Sequence, residues 1–594
     1  MPIPVLNLLP GRRVPAMGSA AEPLRTPTPR WVDGVMLCVV AGMAYGIMRA
    51  AVEWRAPVAQ GPTIDLSAAR LPYYAALSTL RMALAYVVSL TFSLAYARIA
   101  AGSRAAERFM IPLLDVLQSI PILSFMPGVV LGFAALFPGR NMGLELAAIV
   151  LIFTSQAWNL AFSFHQSLIT IPQELSEAAS IYRLGFWRRF TRLELPFGVI
   201  SLIANSMMSW AGGWFFLMAS EQFTLGNKNL RLPGLGSFLA AAAEAGNTVS
   251  LVLGIVTLII VIVLLDQFFW RPLVAWSDRF KMEQSTGGEA GQSPVLDALG
   301  GSALIEWLQE HVLLPLGRGL DRAFSPPPMP PDAVRAPERA STGSSPFRRV
   351  AGSCAAVAGL AVACWGVYAV GHVVVGLRAA QWRLVIVSAG ATFLRTTIAL
   401  ALAAAWTIPV GVWIGMNPKW SRRLQPLVQI TASVPATALF PVLLLALLTL
   451  PGGLNIAAVA LMLLGTQWYV LFNVIAGAMA IPSDLREAAT MYHVTGWRRW
   501  RTLVLPAVFP YLVTGMITAT GGAWNASIVS EYVTFAGKKV STVGLGALIA
   551  EAADRGDFSL LLGGTLVMSA IVIIGNRLVW RRLYALAESR YRMD

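Results

Sequence analysis

Few side chains in this sequence have a type and spacing that could do chemistry, and the most informative ones come in pairs. Four histidines are scattered, and Cys38, Cys354 and Cys364 lie in apolar stretches with neither metal-ligand spacing nor a disulfide framework. A phosphate-cradling loop needs glycines running into Gly-Lys-Ser/Thr. Of the five lysines only Lys538 follows a glycine, and Lys539 comes next. Metal, nucleophilic and nucleotide chemistry are therefore not expected of this chain, and a membrane enzyme ranks last among its possible functions. What remains is charge set in apolar surroundings. Glu221 and Glu531 end two long apolar runs at equivalent places, and a pair of acids fits poorly with direct binding of an anion unless Arg81, Arg395 or Lys228 offsets them. Ionisable groups inside membrane segments usually face the bundle interior and serve function. Each Glu is compatible with a gate at one end of a pathway, a docking acid, or a carboxylate solvated at the interface.

A second charged feature is written twice. Glu177–Pro196 (EAASIYRLGFWRRFTRLELP) recurs at Glu487–Pro506 (EAATMYHVTGWRRWRTLVLP), an offset of 310 residues, and each copy follows Ile-Pro. The Glu-Ala-Ala start favours helix. A break near Gly185 or Gly496 predicts a second short helix, carrying Arg188, Arg189 and Arg192 in one copy and Arg498, Arg499 and Arg501 in the other, before Pro196 or Pro506 opens the next apolar run. Such a helix–turn–helix suits either anionic lipid headgroups or a two-fold partner that needs two equal coupling surfaces.

These sites must be positioned by membrane helices. The chain has 594 residues, 56% hydrophobic and only 13% charged, far below the roughly 25% charge of soluble domains. Apolar windows of about 20 residues are long enough to cross a bilayer as helices, and strand alternation is absent. The hydrophobic pattern predicts an all-α integral membrane protein with about twelve spans. Residues 1–30 read as a polar cytoplasmic tail, 31–270 as a first six-span half, 271–349 as a cytoplasmic linker with an amphipathic helix near Leu296–Leu316, and 350–594 as a second half. The first span of each half is placed at Trp31–Val52 and Val350–Gly376, and the third at Ile111–Phe137 and Leu424–Leu450.

Internal duplication extends well beyond the charged motif. Trp158/Trp468, Trp214/Trp524, Ser220-Glu221/Ser530-Glu531 and Gly234-Leu235-Gly236/Gly544-Leu545-Gly546 match at 310, and Arg81/Arg395, Pro121/Pro435 and Pro127/Pro441 match at 314. An even number of spans per half makes the repeats parallel. With both termini inside, 32 of the 45 Lys and Arg fall in tails, linker and cytoplasmic turns, as the positive-inside rule requires. Trp158, Asn205, Trp214, Trp468, Trp524 and Asn525 are candidates to line a polar cavity between the halves, or to serve helix packing. The paired prolines suggest hinges or static kinks.

Glu-Ala-Ala followed nineteen residues after its Glu by Pro, between apolar spans, resembles the signature loop of permease subunits of binding-protein-dependent ABC importers. The preceding Ile-Pro, Gly-Gly-Trp…Ser-Glu in the next span and Gly-Leu-Gly after it resemble the branch importing nitrate, sulfonates, taurine or bicarbonate. The resemblance implies a type I importer permease with both pathway domains fused in one chain, in the bacterial inner membrane. It implies that Glu177, Ala178, Ala179, Gly185 and Arg188, with Glu487, Ala488, Ala489, Gly496 and Arg498, couple to two separate ATP-binding subunits that carry ATP and Mg. It also implies a periplasmic or lipoprotein solute-binding protein, and no nucleic acid. The family's usual Gly six residues after the Glu is replaced by Arg183 and His493. The rival function is an ATP-independent secondary transporter or channel built from parallel repeats.

Overall fold

In lipid a backbone has no water to bond, so long apolar runs must fold as helices that satisfy their own amides. The computed structural model describes residues 64–277 and 375–590 with short gaps at 183, 223, 226–227, 448 and 536–537, together with isolated positions outside those stretches. Eight helical elements appear and then appear again in the same order. The first half comprises α1 (Leu71–Ala100), α2 (Arg104–Ser119), α3 (Ile122–Leu136), α4 (Asn141–Ile169), α5 (Gln173–Ile181), α6 (Phe186–Glu221), α7 (Leu235–Glu244) and α8 (Thr248–Ser277). The second comprises α9 (Ala379–Met416), α10 (Pro418–Ser433), α11 (Ala436–Leu447), α12 (Gly453–Met479), α13 (Ser483–Met491), α14 (Gly496–Ser530), α15 (Leu545–Arg555) and α16 (Phe558–Ala587).

Eight of these are long and apolar enough to cross a membrane singly, and counting each bent pair α2–α3 and α10–α11 as one span brings the number to ten. The two remaining expected spans, Trp31–Val52 and Val350–Gly376, lie mostly outside the described residues, with scattered helical positions such as Asp33, Met48, Cys364 and Tyr368. So does the linker helix expected at Leu296–Leu316, apart from a helical stretch at Gln309–Leu313 and its immediate flanks.

The third span of each half is not the single helix that its hydropathy predicts. α2 and α3 meet at 94°, α10 and α11 at 78°. Proline disfavours helical backbone in the residue before it, and Ile120 and Val434, which precede Pro121 and Pro435, are both extended. Pro127 and Pro441 lie inside continuous helix, so the break falls at one proline pair only. Each bend carries its second segment into the other half. Leu123 and Met126 of α3 pack with Trp524 and Ile528 of α14, and Ala438 of α11 joins the core around Trp210 and Trp214 of α6.

Two further departures matter for the sites. The second arm of each charged motif is not a separate helix, because Phe186–Arg189 and Gly496–Arg499 run through one π turn (Phe190–Glu194, Trp500–Val504) into α6 and α14. Pro196 and Pro506 lack the N–H that would continue the α pattern, and a π turn absorbs the missing bond without ending the helix. Short antiparallel hairpins, β1–β2 (Thr224–Leu225, Lys228–Asn229) and β3–β4 (Tyr532–Phe535, Lys538–Ser541), lie beyond the far ends of α6 and α14.

Candidate functional site

At the far ends of α6 and α14 the paired acids are clamped. Glu221 and Glu531 are fully buried, which rules out the solvated alternative. Arg81 on α1 donates from Nη1 to Glu221 Oε1 (2.6 Å) and grips Glu145 on α4 through Nε (2.5 Å) and Nη2 (2.8 Å). Ser78 donates to Glu221 (2.6 Å), and Gly236 N–H, in the first turn of α7, donates to Oε2 (2.7 Å). The second half repeats the plan. Arg395 and Thr392 on α9 hold Glu531 at 2.7 and 2.8 Å, and Gly546 N–H of α15 donates to it at 2.9 Å. The Gly-Leu-Gly motif follows from this packing. A Cβ at Gly234 or Gly544 would overlap the carboxylate, and one at Gly236 would stand 2.8 Å from Met218 O. A helix N-terminus is a natural partner for the anion, and glycine lets it approach. Asn455 occupies the place of Glu145 and accepts from Arg395 at 2.8 Å.

The charged motifs form two elbows at the opposite end of the bundle. Ala179 is buried against its own half. Ala489 packs on Ile481, Leu503 and Ala507, while Ala178 and Ala488 are half-buried. Glu177, Glu487, Arg188, Arg498 and Gly496 are exposed and Gly185 half-buried; Glu177 accepts from Gln173 Nε2 at 3.0 Å. Each elbow helix closes with a six-residue turn, Leu184 N–H to Ala179 O (3.0 Å) and Val494 N–H to Ala489 O (2.8 Å). That closure places its penultimate residue in left-handed backbone, and His493 has φ 50° there. Arg183 lies outside the described residues.

Large apolar side chains stand out from both elbows. Tyr182 is 79% exposed and Tyr492 81%, accompanied by Ile181 and Phe186 on one elbow and Met491 and Trp497 on the other. The anchors beneath them differ. On the first, Arg98 from α1 pairs with Glu194 (2.6 Å) and lies over the Phe186 ring, while Arg189 pairs with the same carboxylate (3.1 Å). At the equivalent places of the second stand Val412 and Val504, buried in one apolar cluster.

Between the halves lies a cavity of about 80 Å³, walled by α6 of the first half and by α10, α11, α12 and α14 of the second. Of the candidate lining residues it includes Trp468 and Asn525. Asn525 Oδ1 also accepts from Leu123 N–H of the other half at 3.4 Å. The other candidates are placed elsewhere. Trp158 packs edge-on to Phe92 and Phe153, Asn205 bonds Ser163 Oγ (3.0 Å), and Trp214 and Trp524 are buried in cores. A second space of about 210 Å³ lies toward the clamped end, where Pro127 and Pro441 line it beside the Arg231–Glu244 pair and Asp554, which accepts from Tyr532 at 2.8 Å.

Sequence reasoning missed Glu145, Ser78, Thr392, Glu194, the exposed elbow tips and Tyr469. Glu145 had a usable signal, an acid inside an apolar run. The elbow tips had none beyond being apolar in a polar loop.

A family model described as "Binding-protein-dependent transport system inner membrane component" matches residues 89–269 and again 407–593. The bicarbonate transport system permease protein CmpB of Synechococcus elongatus is 27% identical over 189 residues, which is 32% of this chain and 65% of that protein. The nitrate import permease protein NrtB of Leptolyngbya laminosa is 26% identical over 189 residues, covering 32% and 64%. The taurine transport system permease protein TauC of Escherichia coli is 24% identical over 196 residues, covering 32% and 68%. The chain thus spans slightly under two thirds of the bicarbonate and nitrate permeases' own length.

Two substitutions test this geometry. Removing one partner of a buried ion pair costs about 3–5 kcal/mol, but after Glu221→Ala Arg81 keeps Glu145, whereas Glu531→Ala leaves Arg395 with no carboxylate. Thermal unfolding of the detergent-purified chain is expected to show the larger loss for Glu531→Ala, and the reverse order would contradict the assigned pairing. His493→Gly relieves left-handed strain of about 1 kcal/mol and is expected to raise the melting temperature slightly; a fall would mean that the imidazole itself is needed.

Proposed function

The chain belongs to the family of binding-protein-dependent transport system inner membrane components, and from that premise we propose that it supplies both halves of the translocation pathway of an ATP-driven importer. The solute is small and anionic, and the chain sits in a bacterial inner membrane with both termini and both elbows in the cytoplasm. Two separate ATP-binding subunits, which hold ATP and Mg, dock one on each elbow. A periplasmic or lipoprotein solute-binding protein delivers solute at the clamped end.

The observation that carries this reading is the pair of elbow tips. Each presents three large apolar side chains to solvent at the same end of the bundle, beside an exposed Glu and exposed Arg. Apolar groups clustered in this way, and rimmed by charge, mark a surface that a protein partner covers. Duplication of the tip fits a two-fold partner. An ATP-independent transporter would leave both tips uncovered.

Replacing Glu177 and Glu487 together with Lys reverses charge on both docking rims and leaves the packed Ala179 and Ala489 in place. ATPase subunits are expected to dissociate during purification, and solute uptake in cells is expected to fall to background. Complex formation and uptake at wild-type levels would end the coupling role.

A further inference from the structure

The cavity between the halves has a chemistry that narrows the solute. Its wall combines Met208, Phe215 and Phe216 of α6 with Trp468, Tyr469 and Phe472 of α12, and no Asp, Glu, Lys, Arg or His is among its described lining residues. The polar groups that reach it are few and largely unspent. The hydroxyl of Tyr469 and the carboxamide of Gln429 both face the cavity without an intramolecular partner among the described residues. Asn525 donates one amide hydrogen to Gly521 O (3.0 Å) and keeps the other. Tyr469 crosses the seam, since a Cβ placed on Gly212 of the first half would meet its hydroxyl at 3.1 Å. The feature is one-sided. The first-half equivalent of Tyr469 is Asn159, which is bonded to Ser209 Oγ at 3.1 Å and does not line the cavity.

A compact oxyanion moving into this space would shed its hydration and meet no cation, and unpaired buried charge is strongly disfavoured. A flat apolar body gains instead. Aromatic rings and a thioether offer area and edge or face contacts on both sides, and a few convergent amide and hydroxyl groups then fix one polar end. We propose that the solute passing through this chain is an organic molecule with a flat, apolar body and a polar head. The body lies between Phe215/Phe216 and Trp468/Tyr469, and the head meets Gln429, Asn525 and the Tyr469 hydroxyl. This deepens the proposed function and rests on it, because the cavity must be part of the pathway.

Equilibrium dialysis of the full chain in detergent tests the solute class with three probes: benzoate, its neutral isostere benzamide, and nitrate. Benzamide is expected to be retained most strongly, benzoate less because its carboxylate meets no cation, and nitrate not at all. Trp468→Ala is expected to weaken retention about tenfold through lost ring contact. Tyr469→Phe keeps the ring and the fold and is expected to weaken it about threefold through the lost hydroxyl bond. Nitrate held at least as strongly as benzoate, or aromatic probes held unchanged by both variants, would overturn the proposal. The pathway premise has its own readout. In a background with Cys38, Cys354 and Cys364 replaced by Ser, Asn525→Cys in the assembled transporter is expected to react with a membrane-impermeant thiol reagent only during ATP hydrolysis. Absence of that reaction removes the pathway, whereas its presence with nitrate preferred removes only the solute class.

Discussion

The structure depends on one kind of interaction, an arginine buried among helix ends and held by carboxylate. Arg81 is 2% exposed and Glu221 is 0%. Charge in such a place survives only when it is paired and its remaining hydrogen-bonding capacity is filled. Here filling that capacity builds architecture. Guanidinium, hydroxyl and helix N-terminus converge on one carboxylate, so α1, α6 and α7 meet at a point, and α9, α14 and α15 meet at its copy. The glycines on either side of Leu235 and Leu545 follow from that convergence. So does the Ser-Glu ending of the preceding span. Motifs that look unrelated in sequence are two sides of one contact.

The copies have diverged where charge is concerned. Asn455 replaces Glu145 in the clamp, Val412 and Val504 replace Arg98 and Glu194 beneath the elbow, and Tyr469 replaces Asn159 beside the cavity. The first two exchanges keep a contact while changing its nature, and the third trades a hydrogen bond for an aromatic wall. The first half holds its clamp and elbow with two additional carboxylates, and the second relies on an amide, apolar packing and an aromatic wall. A homodimer of identical subunits cannot differ in this way, because every substitution would appear in both copies. Fusion into one chain removes that constraint and lets a pathway be one-sided while its elbows remain paired.

How much of this was legible depended on the range of the signal. Repeats, spans and elbows are encoded by local hydropathy and recurring residues, yet α6 and α14 begin a full elbow arm before Pro196 and Pro506, where their apolar runs are expected to open. The right-angle bends were hidden because apolar content alone cannot separate one crossing helix from two, although extended residues before Pro121 and Pro435 were an available cue. Short hairpins after α6 and α14 carry too few residues for an alternating pattern to show. At the clamped sites the acid and its cation were both readable, but the distances that bury Glu221 belong to tertiary packing. The candidates Trp158 and Trp468 are indistinguishable in sequence, yet only Trp468 lines the cavity. That difference is set by which half's helix faces the seam, and residue spacing within one helix does not record it.

The continuity of α6 and α14 joins these features mechanically. α6 runs 36 residues from the elbow to the clamp without a break, roughly 54 Å at 1.5 Å per residue. Its wall at Met208–Phe216 borders the cavity partway along. Had the elbow's second arm been a separate helix joined by a flexible turn, force applied to the tips would be lost at the joint. A π turn preserves the rod, and the clamp fixes its far end to α1 and α7. Displacement at an elbow would then tilt the rod about the clamp, and the segment bordering the cavity, partway along, would follow with a fraction of the elbow's travel. The bent pairs α2–α3 and α10–α11 cross that seam, so each half carries part of the other's wall as it moves. Elbow, cavity wall and clamp are therefore parts of one continuous helix in the first half, and elbow and clamp are joined in the same way in the second.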